Sequence, residues 1–175
     1  MKLQPLDIAD LRLNIFKQFD KRWFVLTSGD FKTGQFNAMT ISWGSFGTLW
    51  DKPFAQVFVR PTRYTLEFMN KYDSFTLCAI GKKYKSALNL LGTQSGRDGD
   101  KIKSSGLTPI PSSLVDSPCY KEAKLIVECR KTYWQDLDAS HFLLPEIEYK
   151  YPNKDYHRVF FGEILAIFGS KAYRK

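Results

Sequence analysis

Strand-like runs of apolar side chains dominate this chain. Arg22 to Ser28 is a short aromatic and β-branched run that ends at Gly29-Asp30, a pair suited to a turn. Phe54 to Arg60 alternates: Ala55, Val57 and Val59 point one way, and Phe54, Gln56, Phe58 and Arg60 the other. Pro61 removes a backbone donor and ends that strand. Thr62 is placed to cap a short helix through about Asn70, with Leu66 and Met69 on its inner face. Phe75 to Ile80 reads as a further strand. Lys82 to Leu91 fits a helix, because Tyr84, Ala87, Leu88 and Leu91 share a face and Gly92 supplies a stop. Gly92 to Gly106 is a polar, glycine-rich loop. Ala123 to Trp134 is a long strand with Ala123, Leu125, Val127 and Cys129 on one side; Asp136 to Asp155 is irregular, and Val159 to Phe168 is the last strong strand.

Strands outnumber helices, and the helices are short insertions between them. That order predicts a mainly β protein, an antiparallel barrel with peripheral helices, over a doubly wound parallel sheet. No repeat, low-complexity tract or internal linker divides the 175 residues, so one domain over 1–175 is expected, with its core at about 22–168. The first twenty residues carry Asp7, Asp10 and Asp20 and no continuous apolar stretch, and no window approaches the length of a membrane span. A soluble, cytoplasmic protein is the expectation.

Cys78, Cys119 and Cys129 are odd in number and lack C-x-x-C spacing, which argues against a disulfide framework or zinc. Cys78 and Cys129 lie inside apolar runs and read as buried core thiols. The net charge of +8 raises the question of nucleic acid. The cations are spread along the chain, however, and no nucleic-acid recognition motif accompanies them. A basic balance also attracts phosphorylated small molecules.

Catalytic signatures are sparse. No G-x-G-x-x-G follows a strand, no Walker lysine appears, and no serine sits in a G-x-S-x-G elbow. His141 and His157 are the chain's two histidines, without metal-ligand spacing, so no metal is expected. Two polar blocks remain, Asn37 to Gly44 and Arg60 to Thr65, on either side of the Phe54 to Val59 strand. Together they mix an amide, hydroxyls, arginines, an indole and a phenol. Such a set suits a flat aromatic ligand with an anionic tail: apolar groups for the ring, amides and hydroxyls for its polar edge, arginines for a phosphate. The loop from Thr93 to Lys101 adds glycines that permit close backbone approach, with the charges of Arg97 and Lys101; taken alone it reads first as an ordinary solvated surface loop.

Taken in order, these blocks resemble the flavin reductase-like family of FMN-binding split β-barrels, which includes flavoredoxin-type proteins. The resemblance rests on Asn37-Ala38-Met39-Thr40-Ile41-Ser42-Trp43-Gly44, Arg60-Pro61-Thr62-Arg63-Tyr64-Thr65, Asp73-Ser74-Phe75-Thr76-Leu77 and Ser95-Gly96-Arg97-Asp98-Gly99-Asp100-Lys101. It continues through Glu128-Cys129-Arg130-Lys131 and Tyr151 to Arg158, and spans about Arg22 to Ile167. It implies a six-stranded antiparallel, Greek-key-type split barrel, a homodimer with FMN near the interface, and NAD(P)H as co-substrate.

The resemblance also implies roles. Asn37, Ala38, Met39, Thr40, Ile41 and Ser42 border the isoalloxazine, with Asn37, Thr40 and backbone groups reading its polar edge. Trp43 packs near the ring, or is a barrel-core tryptophan. Arg60, Thr62, Arg63 and Thr65 hold the ribityl and phosphate portion, helped by the helix N-terminus after Pro61. Arg63 has an alternative as an ion-pair partner of Glu67, four residues on. Lys101 reaches the flavin from the loop that also carries Ser95 and Arg97, and a cation there raises the reduction potential. His157 faces the nicotinamide side, although Tyr156 intervenes where some members have an Asp-His step. The activity implied is hydride transfer from NAD(P)H to FMN and electrons onward to a small-molecule or protein acceptor. The alternative is a flavoredoxin-like FMN electron carrier that does not oxidise NAD(P)H itself. Neither nucleic acid nor membrane is an expected partner.

Overall fold

The computed structural model describes residues 3–174; residues 1, 2 and 175 of the domain expected over 1–175 lie outside them. Ten strands occur in chain order: β1 (Gln4–Pro5), β2 (Phe24–Asp30), β3 (Gln35–Ile41), β4 (Gly44–Leu49), β5 (Lys52–Val59), β6 (Ser74–Ile80), β7 (Pro109–Ile110), β8 (Cys119–Tyr120), β9 (Ala123–Asp136) and β10 (Arg158–Gly169). The helices are α1 (Ile15–Lys17), α2 (Thr65–Lys71), α3 (Lys85–Thr93) and α4 (Lys101–Ser105). A π-helical turn, Gln18–Arg22, joins α1 to β2. The main sheet runs β3-β2-β6-β9-β10-β5-β4, with β1 added alongside β10. Its ladders are antiparallel. The sheet stays open between β3 and β4, which are consecutive in sequence but unpaired. The mainly β, split architecture expected from the sequence is present, with seven strands on the path rather than six.

Period-2 alternation sorts the core into two layers. Phe24 and Leu26 of β2 point inward with Val57, Val59, Phe75, Leu77, Val127 and Phe160, all essentially inaccessible to solvent. Val25, Ala38 and Cys78 point outward and are covered by Ala87, Leu88 and Leu91 of α3. The face predicted for β5 is therefore correct, as is that of α3. Ala123 leaves the inward row of Leu125, Val127 and Cys129 and joins the outer layer. A register shift at Ala79/Ile80 moves it, since one residue of slip reverses the face. All three cysteines are buried thiols.

Four local expectations are corrected. Gly29 and Asp30 close β2 rather than turning it, and the chain reverses over Phe31 to Gly34. Thr62 is exposed and caps nothing: α2 starts at Thr65 behind Tyr64, which makes no side-chain cap bond. Gly92 lies inside α3, where a Cβ would stand 3.4 Å from the Thr40 side chain. The polar segment 92–106 is also not wholly loop. Asp100 accepts from Lys103 N at 2.9 Å and so caps α4, which ends at Gly106 in the left-handed region.

Candidate functional site

The C-terminal ends of β3 and β5, the Ser42-Trp43 link and the residue before β10 surround a pocket of about 300 Å³. Its walls are Met39, Thr40, Ile41, Ser42, Trp43, Phe58, Arg60, Arg63, Lys150 and His157. The location follows from the split: β3 has no partner on its outer edge, and the residues just beyond it, Ser42 and Trp43, are open to solvent. Met39 and Ile41 point to the barrel core on one side, while Thr40 points to α3 and donates to Leu88 O at 2.6 Å. That leaves the Thr40 hydroxyl oxygen able to accept a further bond.

Trp43 is 45% exposed, which excludes the barrel-core reading. Its ring lies 4.8 Å from the His157 ring, centre to centre, and Phe58 meets both edge-on at 6.5 Å. Tyr151 OH and His157 Nδ1 are 2.9 Å apart. Burial, reinforced by Arg60 and Arg63 and opposed by Asp155, pushes the imidazole down to about 4. His157 is therefore neutral near pH 7. When the Tyr151 hydroxyl donates to Nδ1, Nε2 carries the ring hydrogen and is a donor.

The depressed histidine gives stability a defined pH dependence. Between its ordinary value of 6.5 and about 4, the unfolded chain binds a proton that the folded chain refuses. The His157 contribution is complete above pH 6.5 and is lost as pH falls through that window. Urea midpoints across pH 4–7 are expected to fall less steeply for His157→Asn than for the unmodified chain.

The arginines are held from behind. Arg60 donates to Lys150 O, its guanidinium lies over the Tyr151 ring at 5.3 Å, and its Nε is 2.8 Å from Asp155 Oδ2. That last contact is an ion pair out of line for a hydrogen bond: Arg60 Nε and Asp155 Oδ1 are both buried without a hydrogen-bond partner. Arg63 donates to Gly92 O at 2.7 Å, at the C-terminal end of α3. It makes no pair with Glu67, which binds Arg97 instead.

The structure thus brings Met39, Thr40, Ile41, Ser42, Trp43, Arg60, Arg63 and His157 together and leaves the other expected residues off the pocket wall. Asn37 is buried and donates to the buried Thr65 hydroxyl at 2.8 Å. Its Oδ1 lies 2.5 Å from where a Cβ on Gly96 would stand, so this pair props the Ser95 to Arg97 turn. Ala38 belongs to the outer core layer. Thr62 is solvent-exposed. The N–H groups of Leu66 and Glu67 close on Arg63 and Tyr64 carbonyls, so they are spent within the α2 turn. Ser95 Oγ accepts from Arg97 N, and the Arg97 guanidinium lies over Tyr64 at 4.8 Å.

Lys101 is 6% exposed and donates to Leu91 O and Gln94 O at 3.2 and 3.0 Å. Burial and the nearby Arg63 push its ammonium down to about 8. It therefore closes the end of α3 behind Arg63 and borders a separate cavity with Ser95 and Asp98. Phe58, Lys150 and Tyr151 are site residues that sequence reasoning missed. Phe58 shares the Arg60 face of its strand, a signal that was legible. Lys150 ends the 3₁₀ turn Pro145–Lys150 and Tyr151 follows it, in an irregular segment that carries no periodicity.

The chain is 26% identical over 150 residues to an uncharacterized protein of Pyrococcus abyssi (strain GE5 / Orsay), covering 85% of this chain and 73% of that one. Its structure is similar to the flavoredoxin of Desulfovibrio vulgaris (Miyazaki F), with a TM-score of 0.65, 22% identity, and coverage of 86% of this chain and 70% of the other. It is also similar to an FMN-binding domain of a flavin reductases-like enzyme from Shewanella baltica OS155, with a TM-score of 0.69, 15% identity, and coverage of 96% and 77%. Those likenesses show the split-barrel fold. The flavin reductase like domain matches residues 16–173, nearly the whole chain, and the protein belongs to that family.

Proposed function

We propose that the pocket at the split holds FMN and that the protein is an FMN-dependent NAD(P)H oxidoreductase. The observation that carries this reading is the pairing, in one pocket, of an apolar wall with unspent cationic donors. Phe58 and Trp43 offer surface to a flat ring, with the buried Met39 and Ile41 behind it. Arg60, held by Asp155 through Nε and by Lys150 O through one amino group, keeps its other amino group, Arg63 uses one amino group on Gly92, and Lys150 is exposed. These groups fit a phosphate at the other end of the ligand. Ser42 and the Thr40 oxygen are the polar groups beside the ring position.

Bound FMN supplies acceptance of a hydride from NAD(P)H and release of electrons to an acceptor. The chain's own residues orient and exclude water. Trp43 and His157 form one wall, and the neutral imidazole places no charge against an incoming nicotinamide. The irregular segment, through Lys150 and Tyr151, covers part of the opening. A cytoplasmic location and a homodimer belong to the same reading. The dimer is supported by the exposed aromatic surface of Trp50, Tyr133 and Trp134; among the described residues, no helix is long and apolar enough to cross a membrane.

The test is anaerobic mixing of the FMN-loaded protein with NADH or NADPH, followed at the visible flavin band. Bleaching by one of them is expected, slower in His157→Ala at unchanged FMN affinity. Reduction by a ferredoxin-type donor but by neither nicotinamide would instead make the protein a flavoredoxin-like carrier.

A further inference from the structure

A second cavity, of about 790 Å³, lies away from the split. The N-terminal segment from Arg12 to Arg22 forms one wall. The end of β6, the start of α3, Lys124 and the turn after β10 form the other. Arg12, Lys17, Arg22, Lys82, Lys85 and Lys124 border it, and no carboxylate is among its lining residues. Lys21, also at the rim, is paired with Asp20 at 2.7 Å. Among the described residues, none of the six other cations forms an ion pair. The floor is different in kind: Leu13, Ile80, Leu88 and Ala172 are apolar, and Tyr173 adds an aromatic ring.

The wall of this cavity is also unusual in its backbone. The π-helical turn Gln18–Arg22 ends at Trp23 with φ 65° and ψ 167°, a region that essentially only glycine occupies. Gln18, 2% exposed, holds this shape by donating to Trp23 O at 2.7 Å. The Lys85 ammonium lies over the Trp23 ring, 2.8 Å from its centre. Arg22 ends that turn and Lys85 packs on the Trp23 ring beside it, and both line the cavity.

We propose that this cavity is a second ligand site, for a nucleoside bisphosphate: a compound with a flat heterocycle and two separated phosphate groups. Cations on both walls need more than one anionic group to neutralise them, since Arg12 and Lys17 face from one side and Lys82, Lys85 and Lys124 from the other. The apolar floor beside Tyr173 accepts the heterocycle. A concave site with such a floor favours a small molecule over a flat polyanionic surface. The cavity shares no lining residue with the pocket at the split, and Lys17 and Lys82 lie outside that pocket.

Calorimetric titration of the full chain with 2′,5′-ADP and with 3′,5′-ADP tests the site. Saturable one-to-one binding of either is expected, at least tenfold weaker in the exposed-residue variant Lys17→Glu/Lys82→Glu. The variant should keep its circular dichroism spectrum and its FMN affinity. Preference for the 2′ isomer would point to an NADP-type source, and preference for the 3′ isomer to a coenzyme A-type source. The proposal is overturned if neither bisphosphate saturates, if the variant binds as well as the unmodified chain, or if inorganic phosphate binds equally well. It is also overturned if only anionic vesicles or oligonucleotides bind.

Discussion

Replacing Arg63 by alanine is expected to raise the FMN dissociation constant about 10- to 150-fold, the equivalent of about 1.5–3 kcal/mol for loss of a charged hydrogen-bond donor. The geometry explains why this residue should dominate. Its neighbour Arg60 is partly neutralised by Asp155, and Lys150 is a flexible exposed point charge. Arg63 is half-buried and is fixed by Gly92 O at 2.7 Å, so its remaining donors enter the pocket pre-oriented. Arg63→Lys should fall between the two, because an ammonium keeps the charge and loses the planar fork. Thermal unfolding of Arg63→Ala separates the binding effect from the smaller loss of the Gly92 contact. An unchanged dissociation constant would leave Arg63 with only the helix-end role.

Truncating Phe75 to alanine should cost about 3–5 kcal/mol of stability, the range for removing a fully buried aromatic ring. Phe75 is inaccessible to solvent, and two of its ring carbons lie 2.5 and 2.7 Å from where a Cβ on Gly162 would stand. Gly162 also sits at a register shift, where β10 slips by one residue against β9. The ring thus fills the space that glycine leaves beside the register shift, where Thr132 of β9 is left without a partner on β10. Gly162→Ala should therefore crowd the same contact and cost about 1–3 kcal/mol. Urea midpoints measure both. A loss near 1 kcal/mol for Phe75→Ala would mean that the strands can close over the missing ring.

Much of this fold could be read from parity along the strands. Ala55, Val57 and Val59 on one face, with Phe58 and Arg60 on the other, anticipated both the barrel interior and part of the pocket wall. The β4–β5 hairpin could not be read that way. Its turn residues Trp50 and Asp51 both take positive φ, 53° and 57°, without the Asn-Gly or Asp-Gly pair that announces such a turn. Strand β4 carries two glycines, and Gly44 is required by tertiary contact, since a Cβ there would stand 2.5 Å from the Phe19 ring. No local signal encodes that.

The candidate site divides along the same line. Residues grouped in sequence, Met39 to Trp43, reach the pocket together because they follow one another along the free edge of the sheet. Lys101 does not, although its loop looked like a ligand-binding loop. Only the packed structure shows its ammonium turned onto the α3 carbonyls. Arg63 illustrates the converse: helical spacing offered Glu67 as a partner, but Arg97, thirty residues on, takes that carboxylate.

Titration of FMN into the purified, flavin-free chain, followed by the visible flavin spectrum, bears most directly on the pocket at the split. One FMN per chain, bound saturably with a displaced absorption band and weakened by at least tenfold in Arg63→Ala, is the expected result. A spectrum that remains that of free FMN at every protein concentration would contradict it.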